Sequence, residues 1–328
     1  MSSKIRHLYP LKLSPVLKQA IWGGRRLTEE YGKEFDGESL AEAWELSSRA
    51  KEDSAVIANG ALAGTLLCDY FEEFGEALVG TKHTGGAFPL LVKWIDAKDK
   101  LSVQVHPDDA YAKANENSLG KTELWYIAEA KEGASLVYGL ADGADKSTLA
   151  TALEQGKVEG VLKTVPVKAG DAVFIPAGML HAIGEGILIA EIQQSSDVTY
   201  RFYDYDRRDK NGKLRPLHVE KAMAVVRSFS EEEINAFRYA RATEKERCNP
   251  AVLAACPYFR VELVCLDGVR SLEVTEESFW HLLCTEGEGR LVFDGEEYSF
   301  SKGESYLLPA ALGKCTLFGC ASLLISKI

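Results

Sequence analysis

No apolar run in the 328-residue chain approaches the roughly 18 residues that a bilayer span needs. Met1 to Lys12 mixes polar and apolar residues and carries no signal-peptide core. Positive charge is also in short supply: 38 Lys and Arg stand against 49 Asp and Glu, a formal net charge of −11. That balance favours solubility and disfavours nucleic acid or anionic membrane as a partner. An anionic substrate then requires local Lys and Arg to reverse the field. There is no low-complexity segment and no C-x-x-C pair. The seven cysteines are odd in number, and six lie beyond residue 247. They read as small core residues rather than a disulfide framework or a thiolate site. The expectation is a cytoplasmic globular protein with room for two domains.

What is present is β-structure punctuated by turns. Trp22-Gly23-Gly24 is a turn, Ala43 to Ser47 is extended, and Pro89 to Ile95 is a nearly continuous apolar run expected to be a buried strand. Helical spacing marks residues 64–80, 108–117 with Asp108 as N-cap, and 146–155 closed by Gly156. From Val161 short strands alternate with Gly and Pro turns, the texture of an antiparallel barrel or sandwich. Asn211-Gly212 signals a hairpin turn. Ser230 with Glu233 makes a capping box, opening a helical connector over about 228–245. A second β-rich pattern runs from Tyr258 to the end. The divisions expected are 1–228, a connector at 229–245, and 246–328.

The chemistry concentrates in Leu101-Ser102-Val103-Gln104-Val105-His106-Pro107-Asp108. Period-2 geometry puts Gln104 and His106 on one face of a strand. Glu123 follows in Gly120-Lys121-Thr122-Glu123, and His181 in Pro176-Ala177-Gly178-Met179-Leu180-His181. Two imidazoles, a carboxylate and an amide oxygen form an N2O2 set suited to a divalent metal.

The two β-rich parts share a short pattern. Val167 to Gly178 and Phe300 to Ala311 both run strand end, Gly, acidic residue, four mostly apolar positions, Pro, Ala. Five residues after Pro176 stands His181; five after Pro309 stands Lys314. The pattern suggests two related barrels, only the first of which holds metal.

These motifs, with Glu42-Ala43-Trp44-Glu45-Leu46-Ser47, Pro89 to Lys93 and Glu191 to Arg201, resemble class I mannose-6-phosphate isomerases, in their short bacterial form. The resemblance implies a mainly β fold of two cupin-type antiparallel barrels (jelly rolls), with a helical insertion in the N-terminal catalytic part. It implies one Zn2+ per chain and interconversion of mannose 6-phosphate and fructose 6-phosphate through a cis-enediol. It carries the zinc ligands onto Gln104, His106, Glu123 and His181, and the catalytic arginine onto Arg201. Lys121 and Glu191 are the two candidates for moving the proton, and the sequence does not choose between them. Ser102 shares parity with Gln104 and can line the same pocket. Lys93 in an apolar strand is costly unless paired, which makes a phosphate contact attractive. Trp22 is a candidate to flank the sugar. Arg207 shares strand parity with Arg201 and stands near where longer relatives carry a second basic residue. His7, His83, His218 and His281 show no partner spacing and read as structural. A sugar phosphate is the only partner expected, with no nucleic acid or membrane; the oligomeric state stays open, a monomer being sufficient.

Two other functions fit parts of this pattern. Two His and a carboxylate on a β-barrel also suit a metal-dependent oxygenase. A non-catalytic sugar-binding cupin is the second, since the C-terminal half has lost its ligand positions. Gln104 as a fourth ligand, with Lys121 and Arg201 nearby, favours the anionic sugar.

Overall fold

A computed structural model describes residues 8–208, 211–237 and 250–328. Its strands form three antiparallel sheets. A six-stranded sheet runs in the order Ala172–Ile175, Glu123–Ala130, Ile187–Gln194, Leu90–Ala97, Glu42–Leu46, Val16–Lys18. A five-stranded sheet runs Tyr200–Tyr203, Val103–Val105, His181–Ala182, Ser135–Leu140, Leu162–Pro166. An eight-stranded sheet is built on the long C-terminal strands Arg260–Val274, Gly313–Lys327 and Trp280–Phe293. The N-terminal strand Leu11–Ser14 joins this third sheet, pairing Leu11 with Leu307 and Leu13 with Ile57. Strand Leu11–Ser14 therefore stitches the two halves together.

Every residue of Leu90–Ala97 and of Ile187–Gln194 is buried. The reason is that the six-stranded sheet is covered on both faces. Alternate residues Val92, Trp94, Leu124, Ala190 and Ile192 pack with Leu263, Phe279, Leu307 and Leu324 of the C-terminal half. The other parity, Ile95, Trp125, Ile127 and Ile189, packs with Leu136, Tyr138, Val165 and Ile183 of the five-stranded sheet. Two-sided burial explains why these strands read as continuous apolar runs instead of alternating. Truncating such a side chain, Leu46 for example, costs about 2–5 kcal/mol. The five-stranded sheet is covered in turn by helices Lys146–Glu154 and Val219–Val225, through Leu149, Ala222 and Val226.

The C-terminal half has its own core, which includes Leu266, Leu282, Leu291, Phe300, Leu317 and Leu323. Its strands approach closely at Gly287, where φ is +76° and a Cβ would stand 2.1 Å from the Cys320 carbonyl oxygen, so only glycine fits there. Cys284 and Cys315 lie in this core as expected, but Cys320 is exposed and Cys68, Cys256 and Cys265 are half-buried; none of these six forms a disulfide. Cys248 and His7 lie outside the described residues.

Several expected elements differ in detail. The helix over 64–80 is two, Leu67–Phe74 and Glu76–Val79, broken where Gly75 takes φ +49°. Asp108 caps helix Asp109–Glu116 by accepting from the Tyr111 N–H. The Ser230–Glu233 capping box forms in both directions, at 2.8 and 3.2 Å. It opens helix Glu231–Phe237; the connector beyond 237 lies outside the described residues. Helices Arg26–Glu29 and Val219–Val225 were not expected. The shared pattern of the two halves holds at atomic detail. Gly170 and Gly303 take φ +86° and +92°. Asp171 and Glu304 each accept from the N–H three residues back, at 2.9 and 3.0 Å.

Candidate metal centre

Sheet register assembles the site from two facing rows. On the five-stranded sheet Tyr138, His181, Gln104 and Arg201 stand side by side, each directly across from the next. On the six-stranded sheet the facing row is Trp125, Glu191, Lys93 and Trp44. Directly opposed residues in an antiparallel pair share a face. His106 follows Gln104 by two residues and Glu123 precedes Trp125 by two, so both point into the same space.

There His106 Nε2 and His181 Nε2 are 3.1 Å apart. Glu123 Oε1 is 3.4 Å from His181 Nε2, and Glu123 Oε2 is 3.7 Å from His106 Nε2. Each imidazole is oriented from behind. His106 Nδ1 lies 2.9 Å from the Val198 carbonyl oxygen and His181 Nδ1 lies 2.8 Å from that of Met179. A carbonyl only accepts, so both Nδ1 atoms donate and the tautomers are fixed. Burial, with the Lys121 charge adding to it, holds His106 well below the ordinary histidine range. Burial likewise takes His181 down to about 4, against the opposing hydrogen bond to Met179. Both rings are neutral, and both Nε2 atoms present lone pairs to each other and to a carboxylate.

Such a cluster of acceptors calls for a cation. Burial pushes the Glu123 carboxyl up, against the opposing Lys121 charge. Its Oε1 and Oε2 are both buried without a hydrogen-bond donor among the described residues. Lys121 Nζ forms an ion pair 3.0 Å from Glu123 Oε2 and lies 3.2 Å from His106 Nε2. His106, Glu123 and His181 offer ligand atoms within 4.8 Å of one another. Gln104 stands alongside: its amide nitrogen lies 3.4 Å from His181 Nε2, and rotation of the amide would present Oε1 to the same space. Two neutral imidazoles, a carboxylate and an amide oxygen, with the imidazoles braced by carbonyls, match the donor set of a catalytic divalent site.

Model comparison gives the family. Residues 10–133 match the phosphomannose isomerase type I catalytic domain, and residues 251–328 match the mannose-6-phosphate isomerase cupin domain. The chain is 39% identical over 320 residues to the mannose-6-phosphate isomerase ManA of Bacillus subtilis, covering 97% of this chain and 99% of that one. It belongs to the type I mannose-6-phosphate isomerase family. The Streptococcus mutans mannose-6-phosphate isomerase is 38% identical and covers 92% of each chain. The crystal structure of a Bacillus subtilis mannose 6-phosphate isomerase superposes with TM-score 0.88 at 36% identity, covering 97% of this chain and 99% of that one. A mannose 6-phosphate isomerase bound with zinc and yttrium shares the fold at TM-score 0.74 and 18% identity, covering 97% of this chain and 98% of that one.

The remaining candidates of this isomerase-family site divide sharply. Glu191 is buried, with Lys93 Nζ 3.2 Å from Oε2 and the Trp125 indole donating to Oε1 at 3.0 Å. Burial raises its pKa, but the Lys121 and Lys93 charges outweigh that and hold it below the ordinary range. Lys93 is paired after all, with Glu191 and with Glu42 at 3.6 Å, and sits 4.9 Å from the Trp44 ring centroid. Its burial is explained without phosphate. Ser102 is buried just before the Gln104 strand. Trp22 is 5% exposed and packs into the core between the sheets.

Arg201 is half-buried, donates to the Pro216 carbonyl at 2.8 Å, and leaves Nε without a partner among the described residues. The parity argument does not reach Arg207. The strand ends at Tyr203, and Tyr205 and Asp206 take φ +56° and +53°, which breaks the alternation. Arg207 instead binds Asp204 at 2.5 Å, as does Arg215 through two nitrogens.

Sequence reasoning missed four contributors. Trp125 was legible by its spacing from Glu123. The Val198 and Met179 carbonyls carry no residue-type signal at all. His218, read as merely structural, pins the Arg201 backbone through two hydrogen bonds, at 3.2 and 2.7 Å.

Proposed function

We propose that this chain holds one zinc ion through Gln104, His106, Glu123 and His181 and interconverts mannose 6-phosphate and fructose 6-phosphate through a cis-enediol. The observation that carries this reading is the pair of Nε2 lone pairs facing a buried carboxylate. Bound zinc supplies a Lewis acid for the sugar carbonyl. Arg201 adds a permanent positive charge in the Gln104 row, where negative charge builds on the reacting oxygens. Glu191 takes the proton from one carbon and returns it to the next. It is a buried carboxylate of the inner face outside the ligand set, directly paired with Trp125 in the row that faces His181, and its neighbours keep it ionised. Lys121 donates to the sugar oxygens from beside the ligands.

The phosphate is drawn by an arginine surplus. Arg201 feels the charges of Arg215, Asp204 and Arg207, so three guanidiniums gather around one carboxylate in a chain of net charge −11. Ser102 lines the pocket on the Gln104 side. Trp22, enclosed in the core, supports the wall. We assign catalysis to residues 1–228, linked through 229–245 to a supporting half, 246–328, in a cytoplasmic protein. Among the described residues no helix is long and apolar enough to cross a membrane.

The test is a coupled assay of mannose 6-phosphate isomerisation. Turnover should vanish with chelator, return with zinc, and be indifferent to oxygen. A zinc-loaded protein with no turnover, or turnover untouched by chelator, refutes the proposal; oxygen-dependent turnover points to the oxygenase.

A further inference from the structure

The tryptophan row on the six-stranded sheet does more than fill space. Trp125, Glu191, Lys93 and Trp44 lie on four adjacent strands in one continuous register. A buried ion pair thus stands between two indoles. Trp44 covers Lys93 with its ring face, and its N–H goes to Glu42 at 2.7 Å. Trp125 is fully buried and turns its N–H to Glu191 Oε1, while Lys93 takes Oε2. The indole gives the carboxylate its one hydrogen bond among the described residues, and Lys93 adds an ion pair on the other oxygen. The same indole meets the His181 ring edge-to-face, with centroids 5.3 Å apart at 78°. One side chain therefore touches both a metal-binding imidazole and the proton-carrying carboxylate.

We propose that Trp125 is a positioning residue that fixes the Glu191 carboxylate relative to the His181 ring. The inference rests on the isomerase reading above. Packing alone would be served by any large apolar ring at this position. The indole N–H is needed only if carboxylate orientation matters. A hydrogen bond to a charged group, removed without changing shape, predicts roughly a tenfold or greater loss in the step that uses that group.

The experiment compares the parent protein with Trp125→Phe and with β-(3-benzothienyl)alanine at position 125, which keeps the bicyclic volume and lacks the donor. If the phenylalanine variant fails to fold, the isosteric analogue decides alone. Expected are a kcat lower by about tenfold or more, KM within twofold and an unchanged zinc content, in protein that stays folded at the assay temperature. Unchanged kcat overturns the inference. So does a loss of kcat that tracks loss of zinc or of folded protein, because it marks a packing role. A parent protein inactive on mannose 6-phosphate refutes the isomerase reading instead, and is seen before any variant is made.

Discussion

The two β-rich halves start from the same turn and end in different chemistry. Both place a left-handed glycine, an acidic residue that closes the turn onto the backbone, a buried four-residue strand, then Pro-Ala. Past the proline, the first half brings His181 inward between two sheets, at 0% exposure. The second brings Lys314 outward into solvent. The C-terminal half still buries one imidazole, His281, but neither ring nitrogen has a hydrogen-bond partner among the described residues. The comparison separates scaffold from site. A shared turn fixes a strand; a site needs lone pairs converging from two facing sheets.

The largest expected effect breaks the first half. His106→Ala removes one of three converging ligand atoms, so zinc and turnover should be lost together, read by metal analysis and the coupled assay. A variant that keeps stoichiometric zinc contradicts the ligand assignment. Next comes Arg201→Lys, which keeps charge and loses the planar fork. It should retain zinc and lower kcat by about 10²-fold. Near-normal turnover moves Arg201 to a structural role.

The second half should respond in stability and not in chemistry. Burial depresses His281 to about 3, below the ordinary 6.5. The unfolded chain therefore binds a proton that the folded chain refuses as pH falls from about 6.5 towards 3. Stability is fully present above that window and falls within it by up to about 1.4 kcal/mol per pH unit. His281→Leu should flatten this acid loss, seen as a smaller shift of the urea midpoint between pH 7.5 and 5.5. Zinc content and kcat should not change; a fall in either contradicts the division of labour. Smallest of all is Lys314→His, which restores the residue type of the first half without its partners. It should leave the chain with one zinc, and a second bound zinc would show that the turn alone can seed a site.

Much of this was legible in the sequence because its signals are local. Asp108, the Ser230–Glu233 box and the two Pro-Ala turns each act within a few residues. The four metal-site residues were found through period-2 spacing and family motifs, and three of them converge as expected, with Gln104 alongside. What stayed hidden depends on register between strands far apart in sequence. Lys93 lies 98 residues from Glu191 along the chain and directly across from it in the sheet. No spacing rule announces that pairing, so the lysine was read as waiting for phosphate. The parity argument for Arg207 failed for the converse reason. Alternation was extended past Tyr203, where two left-handed residues end the strand.

The most direct measurement is an anomalous difference map from crystals of the zinc-loaded protein, recorded at the zinc edge. The account predicts a single site, about 2.0–2.2 Å from His106 Nε2, His181 Nε2 and a Glu123 oxygen, with Gln104 Oε1 turned towards it. A zinc bound elsewhere, or near His281 in the C-terminal half, contradicts it.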